Sequence, residues 1–209
     1  MLNQFPKVLK NPESFVDRET NKVLNDIEIL MRARYPIIYI ITPEEFRVKS
    51  LIKDIAKRLK KKIYEWSVIR GLNPYDDEVD TNKVIDKKSK DPVNALQKVI
   101  EQVDPGIFIF NDFHSYLRDT MVIRKLKETA YSLINSFKSL VIISSSLVIP
   151  CELEKEITVI DFPLPDKKDL DDLIFNVKKE LKITQNIEIS ISPELKEELI
   201  NSLLGLTLQ

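Results

Sequence analysis

The chain has 209 residues, 32 Lys and Arg against 33 Asp and Glu, and one cysteine, Cys151. These totals exclude an internal disulfide and provide no net charge to draw the molecule to nucleic acid or anionic membrane. No apolar run approaches the roughly 18 residues of a membrane helix, and Asn3, Gln4 and Pro6 interrupt the N-terminus too early for a signal peptide, so a soluble intracellular protein is expected. Glycine is scarce, at three positions, Gly71, Gly106 and Gly205. A phosphate loop of the form G-x-x-x-x-G-K-[ST] and a dinucleotide loop G-x-G-x-x-G both need glycine spacings that these positions cannot supply.

Residues 1–17 are rich in Pro, Asn and Lys and read as a loosely held leader. Val23, Ile27, Leu30 and Met31 recur at helical spacing, predicting an amphipathic helix from about Arg18 to Arg34 that ends before Tyr35-Pro36. Ile37 to Ile41 is a short continuous apolar run, the mark of a strand covered on both faces. Thr42-Pro43-Glu44-Glu45 then reads as a helix start, with Thr42 as N-cap, Pro43 at the first helical position and Glu45 closing a capping box. The helix carries an apolar stripe from Val48 to Leu59 and a basic face of Arg47, Lys49, Lys53, Lys57 and Arg58, followed by Lys60 to Lys62.

Ile63 to Val68 suits a strand nearer the sheet edge. From Ile69 to Lys90 periodicity disappears and charge rises at Asp76, Asp77, Glu78 and Asp80, predicting a mobile or functional loop. Asp91-Pro92 opens a helix with Val93, Leu96, Val99, Ile100 and Val103 on its buried face. Gly106 to Asp112 is a third strand, apolar at consecutive positions until it ends on Asn111, Asp112, Phe113 and His114. Ile123 to Phe137 marks a long helix, Leu140 to Ile143 a strand ending in Ser144, Ser145 and Ser146, and Ile157 to Phe162 a fifth strand. Strands alternating with helices predict an α/β fold with a five-stranded, mostly parallel sheet and helices on both faces. Asp166 and Ser192-Pro193 each open a helix, so 166–209 reads as a small helical lid after an α/β domain at 18–165.

This plan, with polar groups at the carboxyl ends of the strands, is that of the AAA group of P-loop ATPases with its phosphate loop absent. Arg32-Ala33-Arg34-Tyr35-Pro36-Ile37-Ile38-Tyr39-Ile40, Phe110-Asn111-Asp112-Phe113-His114 and the stretch from Glu152 to Pro165 resemble the N-terminal half of a family of AAA ATPases encoded in chloroplast genomes, cyanobacteria and other bacteria. Leu203-Leu204-Gly205-Leu206-Thr207-Leu208 looks like that family's junction. The resemblance implies a degenerate, non-hydrolysing module, truncated before a C-terminal ATPase module that would use ATP and Mg. It implies no cofactor for this segment, a homo-oligomeric full-length protein with a further protein partner, and a cytoplasmic or plastid-stromal setting. On that plan Asn111-Asp112 takes the position of the acidic pair that holds Mg²⁺, Ser144 that of a polar sensor, and Thr42 stands where the phosphate loop should begin. These four residues form a vestigial nucleotide site, and no catalytic residue or metal ligand is assigned.

Each of these residues also has a plainer role open to it. Asp112 can cap or order a loop, Ser144 to Ser146 can satisfy their own backbone, and His114, without a Ser or Cys partner identifiable in sequence, suits a structural role. Tyr64 and Trp66 read as half-buried packing rather than a stacking platform, and Cys151 as a small buried or semi-buried hydrophobe. Two other readings stay open: a Mg-dependent hydrolase or nuclease joining Asp112 to Asp161 or Glu44, and a nucleic-acid-binding regulator using the basic helix face.

Overall fold

The computed structural model describes residues 18–75, 87–102 and 104–204. The expected leader at 1–17, the acidic cluster at 76–80, Val103 in the expected helix stripe and the last junction residues from Gly205 lie outside the described residues.

Six strands form one sheet, β1 (Ile37–Ile41), β2 (Lys62–Ser67), β3 (Gly71–Pro74), β4 (Gly106–Asn111), β5 (Ser139–Ser144) and β6 (Ile157–Asp161), in the order β3-β2-β4-β5-β1-β6. All neighbours pair in parallel except β3, which is antiparallel to β2. The sixth strand falls in the stretch that periodicity left as loop, because Gly-Leu-Asn-Pro carries one bulky apolar residue and shows no alternation. Gly71, with φ of 73°, closes the link from β2 into β3 in a conformation that favours glycine. A short 3-10 turn at Lys87–Lys90 follows within the same stretch.

The helices are α1 (Arg18–Arg32), α2 (Glu45–Leu59), α3 (Pro92–Glu101), α4 (Thr120–Ile134), α5 (Lys167–Gln185) and α6 (Pro193–Leu203). Val23–Phe162 form one compact unit, while α5 and α6 belong to a second that comprises the residues from Pro163 on and those up to Lys22, at the start of α1. In that second unit Ser192 Oγ accepts from the Leu195 amide at 3.3 Å, and Lys182 pairs with Glu188 at 2.7 Å. No residue of α6 is buried among those described, so its apolar stripe is largely open.

Strand side chains alternate between the faces of the sheet, and each set collects its own helices. Ile37, Tyr39, Trp66, Phe108, Phe110, Leu140 and Ile142 pack with Ala95, Leu96 and Val99 of α3 and Val122, Leu126, Ala130 and Leu133 of α4. The opposite set, Ile38, Ile40, Ile107, Ile109, Val141 and Ile143, is equally buried. Lys49 of α2 reaches Glu65, one residue off the Trp66 face, which places α2 on this second side. Arg58 of α2 binds Glu28 of α1 at 2.7 Å. Within the first face Trp66 stacks on Phe110 at 5.2 Å and meets Phe113 and Tyr116 edge-on. Tyr64 stacks on Phe108 at 5.0 Å, and a β-carbon on Gly106 would come within 3.2 to 3.3 Å of those two rings.

The opening of α3 follows the sequence expectation: Asp91 accepts from the Asn94 amide at 2.9 Å, with Pro92 at the first turn. Asp91→Ala is expected to lower stability by about 1 kcal/mol, measured by chemical denaturation. At the other end of α3, the Lys138 ammonium donates to the carbonyls of Val99, Ile100 and Gln102 at 2.8 to 3.0 Å. Burial lowers its pKa.

The opening of α2 differs. The helix begins at Glu45 with Glu44 as its N-cap, and no side chain caps it. The Thr42 hydroxyl accepts from the Glu44 amide at 3.0 Å, a turn of the backbone ahead of the helix. Glu45 pairs with Lys49 at 2.8 Å instead of closing a capping box. The helical geometry thus starts two residues later than Thr42 would set it, although the same cap-then-proline order does open α3 and α6.

Candidate functional site

The carboxyl ends of β1, β4 and β5 meet where the chain order reverses around β1, the place at which open α/β sheets keep their ligand crevice. Backbone bonds continue the ladder past the strand ends. Thr42 N–H donates to the Ser144 carbonyl at 2.9 Å, Asp112 N–H to the Ile143 carbonyl at 2.9 Å, and Phe162 N–H to the Ile41 carbonyl at 3.1 Å. Of the four candidate residues, Thr42, Asp112 and Ser144 are thus brought together. Asn111, one position before Asp112, turns to the other face, where its amide donates to Glu65 Oε1 at 2.6 Å.

Asp112 sits at φ 51°, leading a 3-10 turn at Phe113–Tyr116. Its carboxylate caps nothing and its side chain is 63 % exposed. The capping role open to it in sequence is therefore not the one it takes: its backbone, not its carboxylate, orders the turn.

His114 does have a serine partner, 30 residues away in sequence: its Nδ1 lies 2.6 Å from Ser144 Oγ. Asp112 Oδ1 is 3.9 Å from the same nitrogen. A nucleophilic relay needs serine and carboxylate on opposite ring nitrogens; Ser144 and Asp112 both approach Nδ1, and the hydroxyl on the Nε2 side, that of Ser115, is 3.5 Å away. Ser144 is 1 % exposed, and its Oγ also accepts from the Ser146 amide at 3.2 Å. The pair therefore ties the turn after β4 to the end of β5 and presents no nucleophile. Tyr39 adds to this tie, donating to the Ser146 carbonyl at 2.6 Å; burial raises its pKa, against a hydrogen bond with Ser144 that lowers it.

At the corner between β1 and α2, Thr42, Pro43 and Glu44 are the whole link. The Glu44 side chain is fully buried and binds Arg47 at 2.9 Å. The Arg47 guanidinium in turn lies over the Phe162 ring at 5.0 Å. Glu44 is thus the N-cap residue of α2, but its carboxylate pairs with Arg47 and does not cap the helix.

Next to this corner lies a polar pocket that the sequence did not suggest. Lys49, read there as part of a solvated basic face, is 8 % exposed and bonds Glu45 at 2.8 Å and Glu65 at 2.6 Å. Burial alone would lower its pKa, but the two carboxylates outweigh burial and raise it. Among the described residues no group of three His, Cys, Asp or Glu side chains is placed to hold a metal ion. Cys151 is exposed, not buried.

A mostly parallel sheet flanked by helices on both faces, with its polar crevice at the strand ends and β1 running through a three-residue link into α2, defines a P-loop NTPase-type domain of the AAA kind. Residues 23–162 match the family model described as SpoVK-like AAA ATPase, N-terminal domain, and the chain belongs to that family. Two relatives described as uncharacterized AAA domain-containing protein ycf46 are similar to it. The one from Guillardia theta is 35% identical over 192 residues, covering 89% of this chain and 35% of the relative. The one from Trieres chinensis is 33% identical over 193 residues, covering 90% of this chain and 36% of the relative. The chain spans about a third of the length of these curated relatives. Domain III of the Thermotoga maritima replication initiation protein DnaA shares the fold, with a TM-score of 0.57 at 16% identity over 92% of this chain and 82% of that one.

Proposed function

We propose that this chain is a degenerate, non-hydrolysing AAA module that serves assembly, partner binding or regulation of an ATPase module elsewhere in a longer protein. The observation that carries this reading is the corner between β1 and α2. The link is too short for a phosphate loop, and it ends on a buried Glu44 that is paired with Arg47.

Charge does little to keep a nucleotide from this corner. Glu44 and Glu45 each hold a cation, Arg47 and Lys49, so their repulsion of a triphosphate is largely compensated. Length is what opposes nucleotide: a three-residue link cannot form the glycine-rich turn whose backbone N–H groups cradle a phosphate. On this reading Thr42, Asn111, Asp112 and Ser144 are kept for the fold, and ATP and Mg belong to the other module. Homo-oligomerisation, a further protein partner, and a cytoplasmic or plastid-stromal location are part of the same proposal. No described helix is long and apolar enough to cross a membrane.

Calorimetric titration with ATP and Mg²⁺ tests the proposal. No saturable heat is expected up to about 1 mM nucleotide, and submicromolar affinity would overturn it.

A further inference from the structure

The sheet has two edges, β3 and β6, and they differ in what they offer a further strand. A free edge is a row of unpaired N–H and C=O groups, and natural proteins guard such rows with proline, lysine, bulges or short length. β3 is guarded: it has four residues, it ends on Pro74, which has no N–H to donate, and the Asn73 side chain already takes the Gly71 carbonyl at 3.1 Å. β6 is not. Ile157-Thr158-Val159-Ile160 is β-branched at every position, Asp161 is its one charge, and neither proline nor lysine falls within it.

The direction of the open row follows from the ladder. Phe162 N–H donates inward to the Ile41 carbonyl at 3.1 Å, and successive residues of a strand point their backbone groups to opposite sides. Thr158, Ile160 and Phe162 therefore face β1, while Ile157, Val159 and Asp161 face away from the sheet. Among the described residues no hydrogen bond reaches the outward N–H or C=O of these three. Val159 is 38 % exposed and Asp161 is open to solvent, so the middle and the end of the row are accessible.

The strand that matches this row is another β6. When two copies lie antiparallel and centred on Val159, Val159 faces its counterpart and Ile157 faces Asp161 of the other copy. Every outward N–H then meets an outward C=O over the whole strand. No like charges stand opposite each other: the two Asp161 carboxylates are about 13 Å apart along the ladder, four residues at the rise of a strand. Each is followed diagonally by the exposed Lys155 of the other copy, in the turn just before its β6. Because β3 is closed to addition, copies cannot join β6 to β3 in an open series, and β6 to β6 closes as an isologous dimer.

We propose that β6 is a self-association edge, through which two copies of this chain pair antiparallel about a two-fold axis at Val159 and join their sheets into one. Five residues a side is a small contact, which makes the dimer weak and reversible. The pairing supplies a surface for the homo-oligomerisation proposed above, and it holds or fails whether or not nucleotide binds.

The test is sedimentation equilibrium of the chain together with amide hydrogen exchange at rising concentration. A dimer with a Kd at or below about 1 mM is expected. As it forms, the Val159 and Asp161 amides should slow at least about fivefold, while Thr158 and Ile160, already bonded to β1, change little. Val159→Lys and Val159→Glu should each weaken self-association by about fivefold, and an equimolar mixture of the two should restore it, because Lys and Glu then face each other across the axis. A chain that stays monomeric to about 1 mM would overturn the proposal. So would a dimer in which Val159 and Asp161 exchange as before, protection of those amides that is independent of chain concentration, or a mixture no better than either folded variant alone. If a variant does not fold, the concentration dependence of exchange in the unaltered chain decides.

Discussion

Replacing Lys49 with methionine is expected to destabilise the domain by about 3 kcal/mol, because it leaves the half-buried Glu65 carboxylate without its cation. In a chain of this size that corresponds to a fall in Tm of roughly 6 to 12 °C. Glu45, the more exposed partner at 36 %, can turn to water, whereas Glu65 stays held by Asn111. The double change Lys49→Met with Glu65→Leu should therefore recover part of the loss, and a double-mutant cycle measured by chemical denaturation would reveal the coupling. The pH dependence has a definite sign. The folded state raises the Lys49 pKa above 10.5, so the pair's contribution is complete below that value and is lost as pH rises through the folded pKa. The gap between the two proteins should be constant near neutral pH and close only in strong alkali; a gap that widened there would contradict the assignment.

Trp66→Ala is expected to cost about 4 kcal/mol. The ring is fully buried against three aromatic neighbours, and its indole N–H donates to the Ser89 carbonyl at 2.7 Å. Trp66→Phe should cost less, about 1 to 2 kcal/mol, since the aromatic packing is largely retained while the bond to Ser89 is lost. Circular dichroism during urea unfolding measures both. A loss below about 1 kcal/mol for the alanine variant would mean that this face repacks freely.

Much of the fold was legible because its signals are local. Continuous apolar runs located β1, β4 and β5, since a strand covered on both faces tolerates no polar alternation. Asp91-Pro92 and Ser192-Pro193 marked helix starts because their chemistry is complete within a few residues. The α2 cap misled for the same reason: Thr42 and Glu45 stand at capping-box spacing, and only the three-dimensional path of Pro43 shows that the helix starts later. β3 was missed because an edge strand contacting one neighbour needs little apolar character. Gly71 shortly after a strand was the available hairpin signal.

The candidate site was legible in part, because strand-end positions follow from strand assignments. That placed Thr42, Asp112 and Ser144 together, while the alternation of strand faces separated Asn111 from Asp112. The His114–Ser144 contact joins two connections 30 residues apart, and no local pattern announces it. The Lys49–Glu65–Asn111 network was hidden for the same reason. A lysine on a basic helix face looks solvated until the strand opposite it is known to carry a glutamate.

The short passage from Ile41 to Glu45 also bears on how such a domain can change over generations. A phosphate-binding turn of the G-x-x-x-x-G-K-[ST] pattern is more than twice as long as Thr42-Pro43-Glu44. No series of single-residue exchanges lengthens a chain, so introducing glycine and lysine here would remove the Glu44–Arg47 pair without producing the turn. Recovery would require an insertion together with loss of the buried glutamate, and either change alone would weaken the corner. On the function proposed above, it is the length of this link, and not the identity of any one residue in it, that keeps a phosphate-binding turn from forming.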